Sequence, residues 1–150
     1  ANRLASNSLV ECMVFARAAA RQIADASAKP APTALPWRPG SADMADAGAI
    51  ANRLGDLRRL MWERVGIVRS GEQLDQAADR IAQLRSETET LYARAKLTRD
   101  LVELRNLVQV AQLIVQSAQS RLESRGLHFR IDHPALAASA APTLLAPTGA

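Results

Sequence analysis

Ser8 and Glu11 have the three-residue spacing of a capping box, in which a serine oxygen and a glutamate carboxylate satisfy amides left without partners at a helix start. The pair places a helix N-terminus beside Arg3, and a guanidinium next to the positive end of a helix makes a locally positive pocket. Such a pocket suits a dicarboxylate or the electron-rich edge of a redox ring. Spacing alone favours the plainer alternative, a solvated surface arginine.

Other residues with chemical potential are fewer than the charge content suggests. His128 and His133 flank Asp132, but a loop with no third strong ligand makes hydrogen-bonded or solvated histidines the default, and no metal site is expected. Cys12 lies among Val10, Met13 and Phe15, where a small core residue is the default over a nucleophile. Arg58, Arg59, Arg64 and Arg69 read as the wet face of a helix. Glu103, Arg105 and Asn106 read as a polar face between apolar positions. None of the seven glycines has the spacing of a dinucleotide or phosphate loop.

The elements that must position these residues are helical. Aromatics are 3% of 150 residues, so the core has to come from Leu, Val, Ile and Ala, and the fold class expected is all-α. A first helix is expected over 8–26. Pro30, Pro32, Pro36, Pro39 and Gly40 then make 27–46 a linker. Ala47, Ile50, Leu54, Leu57 and Met61 alternate steps of three and four, which predicts a second helix ending near Val65. Gly66 breaks it, Ile67 and Val68 turn an apolar corner, and Ser70 with Gln73 caps a third helix. That helix carries Leu74, Ala77, Ile81, Leu84, Thr88, Leu91 and Ala95 on one face. A fourth carries Leu101, Leu104, Val108, Ala111, Val115, Ala118 and Leu122, with Val102, Leu107 and Ile114 widening its stripe to meet two neighbours. The short link at Lys96 to Thr98 forces the third and fourth antiparallel, so 47–127 is an antiparallel three-helix bundle. Gly126 is expected as its left-handed cap, with Leu127 packing on Leu122, and 128–150 as an extended, poorly ordered tail.

Composition narrows the function classes. The excess of 19 Lys and Arg over 15 Asp and Glu is spread along amphipathic helices without interleaved aromatics, which argues against nucleic-acid binding. Apolar runs break well before the roughly 20 residues of a bilayer span. One cysteine permits no internal disulfide, which suits a reducing cytoplasm. The opening Asn2-Arg3-Leu4-Ala5-Ser6-Asn7-Ser8-Leu9, with no initiator Met before it, reads as the end of something larger.

That run, with Met61-Trp62-Glu63-Arg64-Val65-Gly66-Ile67-Val68-Arg69, Leu104-Arg105-Asn106-Leu107-Val108-Gln109-Val110-Ala111 and Glu123-Ser124-Arg125-Gly126-Leu127-His128-Phe129, resembles the C-terminal part of the L-aspartate oxidase family. The resemblance covers nearly all of the chain except the linker and the last dozen residues. It extends to the flavoprotein subunits of succinate dehydrogenase and fumarate reductase, which share the first run and a similar Glu-Ser-Arg-Gly ending. The stretch from Met61 to Arg69, and Leu127 after Gly126, point to the oxidase branch.

The resemblance implies an FAD enzyme that oxidises L-aspartate to iminoaspartate, passes electrons to oxygen or fumarate, and supplies quinolinate synthase on the route to NAD. It implies that Arg3 clamps a substrate carboxylate, and that Asn7, Ser8 and Leu9 lie at the cofactor, with Ser8 and Leu9 at the pyrimidine edge of the flavin. Residues 1–26 become the end of an FAD-binding domain whose fingerprint, capping domain and catalytic arginine lie upstream, so this chain holds no catalytic residue and no turnover of its own. Two departures stand out. Val10 replaces a usual leucine, and His133 replaces the aromatic residue that usually precedes the proline. Without its flavin domain the first helix is expected to expose Leu9, Val14, Phe15 and Ile23 and to self-associate. The rival readings are a succinate or fumarate oxidoreductase flavoprotein and a free-standing helical interaction module.

Overall fold

A computed structural model describes residues 7–26 and 43–146, with Asn7 and Ser8 described for their backbone alone. The chain divides into two compact units, residues 1–37 and 38–150. In the first, the described element is α1 (Asn7–Asp25). It starts one residue before the expected cap, so Ser8 already has helical backbone and the cap position falls outside the described residues.

The second unit is a bundle of α2 (Ala47–Arg64), α3 (Gly71–Arg94) and α4 (Arg99–Ser120). Each starts at a side chain that accepts an otherwise orphaned amide. Asp46 Oδ1 accepts from Gly48 N at 2.8 Å, Ser70 Oγ from Gln73 N at 3.2 Å, and Thr98 Oγ1 from Leu101 N at 3.3 Å. Asp46 lies in the stretch expected as linker. There Lys96 N also donates to Asp43 O at 2.8 Å, tying the start of the unit to the α3–α4 connection.

The expected stripes form the core. Leu74, Ala77, Ile81, Leu84 and Thr88 of α3 and Leu101, Leu104, Val108, Ala111, Val115 and Ala118 of α4 are buried, and α2 adds Ile50 and Leu57. Burying each large aliphatic side chain stabilises the fold by about 1.5–3 kcal/mol, enough to hold a bundle almost without aromatics. Ala47, expected in the stripe of α2, is exposed at its first turn, while Leu54 and Met61 pack on the core from its edge. Arg53 of α2 meets Glu87 of α3 at 3.2 Å, and Arg105 of α4 meets Glu89 at 2.8 Å while lying 4.5 Å over the Tyr92 ring.

The end of α4 departs from expectation. The helix stops at Ser120 with Arg121 extended, Leu122 is 62% exposed and Leu127 54% exposed, so the two do not make a Schellman contact. The carbonyls of Ala118 and Gln119 instead accept from the Arg130 guanidinium, at 3.5 and 3.3 Å. Gly126 does hold a left-handed φ of 62°, but it does so in a two-residue turn closed by paired hydrogen bonds between Arg125 and His128. After that turn, β2 (Phe129–Arg130) runs parallel to β1 (Val68–Arg69), pairing Val68 with Phe129 and Arg69 with Arg130. Of the apolar corner, Val68 therefore lies in a strand, and Ile67 directly precedes it. The tail is also held, since Ser124 N donates to Ala135 O at 3.0 Å and Arg121 Nη2 to Ala141 O at 2.8 Å.

Candidate functional site

Of the residues that the sequence singles out for substrate and flavin, Arg3 lies outside the described residues, and Asn7 and Ser8 are described only as helical backbone. Leu9, one turn into α1, is 74% exposed. The first turn of α1 carries no acidic side chain, so nothing there offsets the positive end of the helix dipole. Farther along, Met13 is 74%, Phe15 69%, Ile23 76% and Val14 58% exposed; Leu9, Val14, Phe15 and Ile23 are the residues expected to be so. Cys12 is exposed as well, which corrects its expected place in a core: among the described residues of this unit no other element covers it.

The charged chemistry of the second unit gathers elsewhere, where β1, β2, the start of α3 and the end of α4 meet. Arg130 is 4% exposed and grips Asp132 with two donors, Nε to Oδ1 at 3.0 Å and Nη2 to Oδ2. Asp132 also accepts from Gly71 N, the first residue of α3, at 2.9 Å. The Arg130 hydrogen bond, aided by that amide, holds the Asp132 carboxyl far below the usual carboxylate range. Glu123, also 4% exposed, accepts from Ala137 N at 3.0 Å, Arg125 Nε at 2.9 Å and Arg121 Nη1 at 2.6 Å. Its carboxyl is lowered too, first by the Ala137 amide and then by Arg125, against the opposing pull of burial. Ser124 Oγ completes the knot, accepting from Arg130 N at 2.8 Å and lying 2.9 Å from His133 O.

His128 bridges two elements. Arg69 Nη1 donates to its Nδ1 at 2.9 Å, so the ring proton sits on Nε2, which donates to Arg121 O at 3.1 Å. Burial lowers the His128 pKa, and the nearby charges of Arg69, Arg121 and Arg130 lower it further, so the neutral ring is favoured. Arg69, expected on the wet face of the second helix, lies instead in β1. Its Nε donates to Gly66 O at 2.7 Å and Val65 O at 3.3 Å, closing the end of α2. His133 stands 3.9 Å from Asp132. Among the described residues no group of three His, Cys, Asp or Glu could hold a metal ion.

Sequence reasoning missed Glu123, Arg130 and Asp132. A signal was there: Arg121, Glu123 and Arg125 alternate by two, the spacing that puts side chains on one side of an extended chain rather than a helix. The arrangement fixes charge and closes helix ends. Both nitrogens of its one well-placed base, His128, are already engaged.

Residues 55–140, more than half of the chain, match the family described as fumarate reductase flavoprotein C-term. The chain belongs to that family. The whole junction of β1, β2 and their clasp lies within the matched residues. The chain is also 50% identical over 150 residues to L-aspartate oxidase 1 of Ralstonia nicotianae and 47% identical to an L-aspartate oxidase of Pseudomonas aeruginosa, each match covering 98% of this chain and 28% of the relative. A chloroplastic L-aspartate oxidase of Oryza sativa is 39% identical, covering 99% of this chain and 26% of that protein. The chain thus spans little more than a quarter of the length of these relatives. No helix of the described residues is long and apolar enough to cross a membrane.

Proposed function

We propose that this chain is the C-terminal part of an FAD-dependent L-aspartate oxidase, carrying one edge of the active site on its first segment and, in its second unit, a bundle that braces the flavin domain. The observation that carries this reading is the identity of 50% over 98% of the chain to a protein named L-aspartate oxidase. In the complete enzyme Arg3 orients a substrate carboxylate through two parallel hydrogen bonds. Asn7, Ser8 and Leu9 would hold the cofactor, with Ser8 and Leu9 at the pyrimidine edge of the flavin, where the positive end of the α1 dipole fits a group that gains negative charge. When bound, FAD would supply the hydride-accepting chemistry for oxidation of L-aspartate to iminoaspartate, which would feed NAD synthesis through quinolinate synthase, with oxygen or fumarate as final acceptor. The upstream FAD-binding and capping domains cover the apolar face of α1, and the chain alone turns nothing over. Its place is the cytoplasm.

The test is aspartate-dependent flavin reduction in the complete protein, comparing wild type with Arg3→Leu. The expected result is loss of aspartate affinity with FAD still bound; unchanged reduction removes Arg3 from the site. A succinate or fumarate oxidoreductase is the second reading, favoured by the family's own description. Flavin reduction by succinate in place of aspartate would establish it.

A further inference from the structure

Four arginines line the junction, and three of them face carboxylates: Arg121 and Arg125 meet Glu123, and Arg130 meets Asp132. Arg69 does not. It is partly buried, its Nε closes α2 and its Nη1 meets the neutral His128, while Nη2 has no hydrogen-bond acceptor among the described residues. Burial without a counter-charge lowers its pKa.

Arg69 lines an open cavity of about 360 Å³ whose other walls include Val110, Leu113, Ile114, Ser117 and Arg121. Val110, Leu113 and Ile114 form an outward apolar stripe on α4, between 42% and 50% exposed. The Arg121 donors are committed to Glu123, Thr143 and Ala141, so Arg121 contributes field rather than hydrogen bonds. A charged end and an apolar wall in one concavity select a ligand with both features.

We infer that this cavity binds a carboxylate attached to an apolar body, with the carboxylate on Arg69 and the body along Val110, Leu113 and Ile114. A single carboxylate matches the one spare guanidinium edge, and the Ser117 hydroxyl is the neighbouring polar group of the wall. The same chemistry has two sources, a free small carboxylic acid or a carboxylate side chain from a neighbouring part of the larger protein.

The test is titration of the 150-residue chain with hexanoate and with its neutral counterpart hexanamide, followed by calorimetry and by amide shifts of α4. Hexanoate is expected to saturate, with hexanamide at least tenfold weaker and Arg69→Gln at least tenfold weaker for hexanoate. Because Arg69 also closes α2, Leu113→Asp provides a second variant: it sets a repelling charge in the cavity on an exposed helix face and is expected to abolish hexanoate binding. No saturation, equal binding of acid and amide, or indifference to both substitutions overturns the proposal. Repeating the titration on the complete flavoprotein separates the sources, since binding that persists there indicates a free acid and binding that disappears indicates a side chain already in place.

Discussion

At residue scale the unusual feature is how many polar atoms are committed to so few elements. Arg130 serves three partners at once, reaching the last carbonyls of α4, the carboxylate of Asp132 and, through that carboxylate, the first amide of α3. Arg130→Met keeps the apolar stem and removes the charged donors. It is expected to lower stability by about 2 kcal/mol, read as a shifted urea midpoint at unchanged slope. The pH response follows from the same knot. The lowered His128 pKa means that the unfolded chain binds a proton there that the folded chain refuses, so stability is full above the ordinary histidine range and declines as pH falls through it. Asp132 and Glu123, also lowered, extend the decline through the carboxylate range and below, as pH falls toward their folded values. Urea midpoints measured between about pH 7 and pH 5 should fall for the wild type and stay nearly flat for His128→Gln, while the steeper loss below about pH 4 persists in both.

At element scale, periodicity explains what was legible and what was not. A stripe such as Leu101, Leu104, Val108, Ala111 and Val115 repeats because a rotating helix returns the same face to one core, so the sequence displays it directly. β1 and β2 are two residues each and cannot show a period. Their partners lie far apart along the chain, with Gly71 and Asp132 separated by 61 residues, so no local window contains the pair. Gly126 was legible as a left-handed residue, but the long-range Arg130 contact decides that α4 ends six residues earlier. The substrate role proposed for Arg3 rests on resemblance, because spacing alone favours a solvated surface arginine and a lone arginine carries no period. Within α3, Thr88 is 1% exposed and its Oγ1 has no hydrogen-bond partner. Thr88→Val keeps the shape and removes an unsatisfied hydroxyl, and is expected to stabilise the chain by about 1 kcal/mol, seen as a rise of a few degrees in Tm. A fall in Tm would mean that the hydroxyl has a partner in solution.

At the scale of the whole molecule the two units have opposite characters. The core of the second draws on residues 45–118. A solitary helix of 19 residues is marginal in water and here exposes Leu9, Met13, Phe15 and Ile23. The 150-residue chain should therefore self-associate with rising concentration in light scattering. Removing residues 1–37 should abolish that association and leave the thermal midpoint of the bundle within about a degree.

The parallel pairing of β1 and β2 also sets how the bundle bears load. β1 enters α3 and β2 follows α4, so tension applied at the amino end of β1 and the carboxyl end of β2 draws the strands in opposite directions along their length. The bonds that join them, and the Arg130–Asp132 grip beside them, are then loaded together in shear instead of being peeled open one after another. Load applied across the two strands in this way meets the small knot before it reaches the α3–α4 hairpin that connects them.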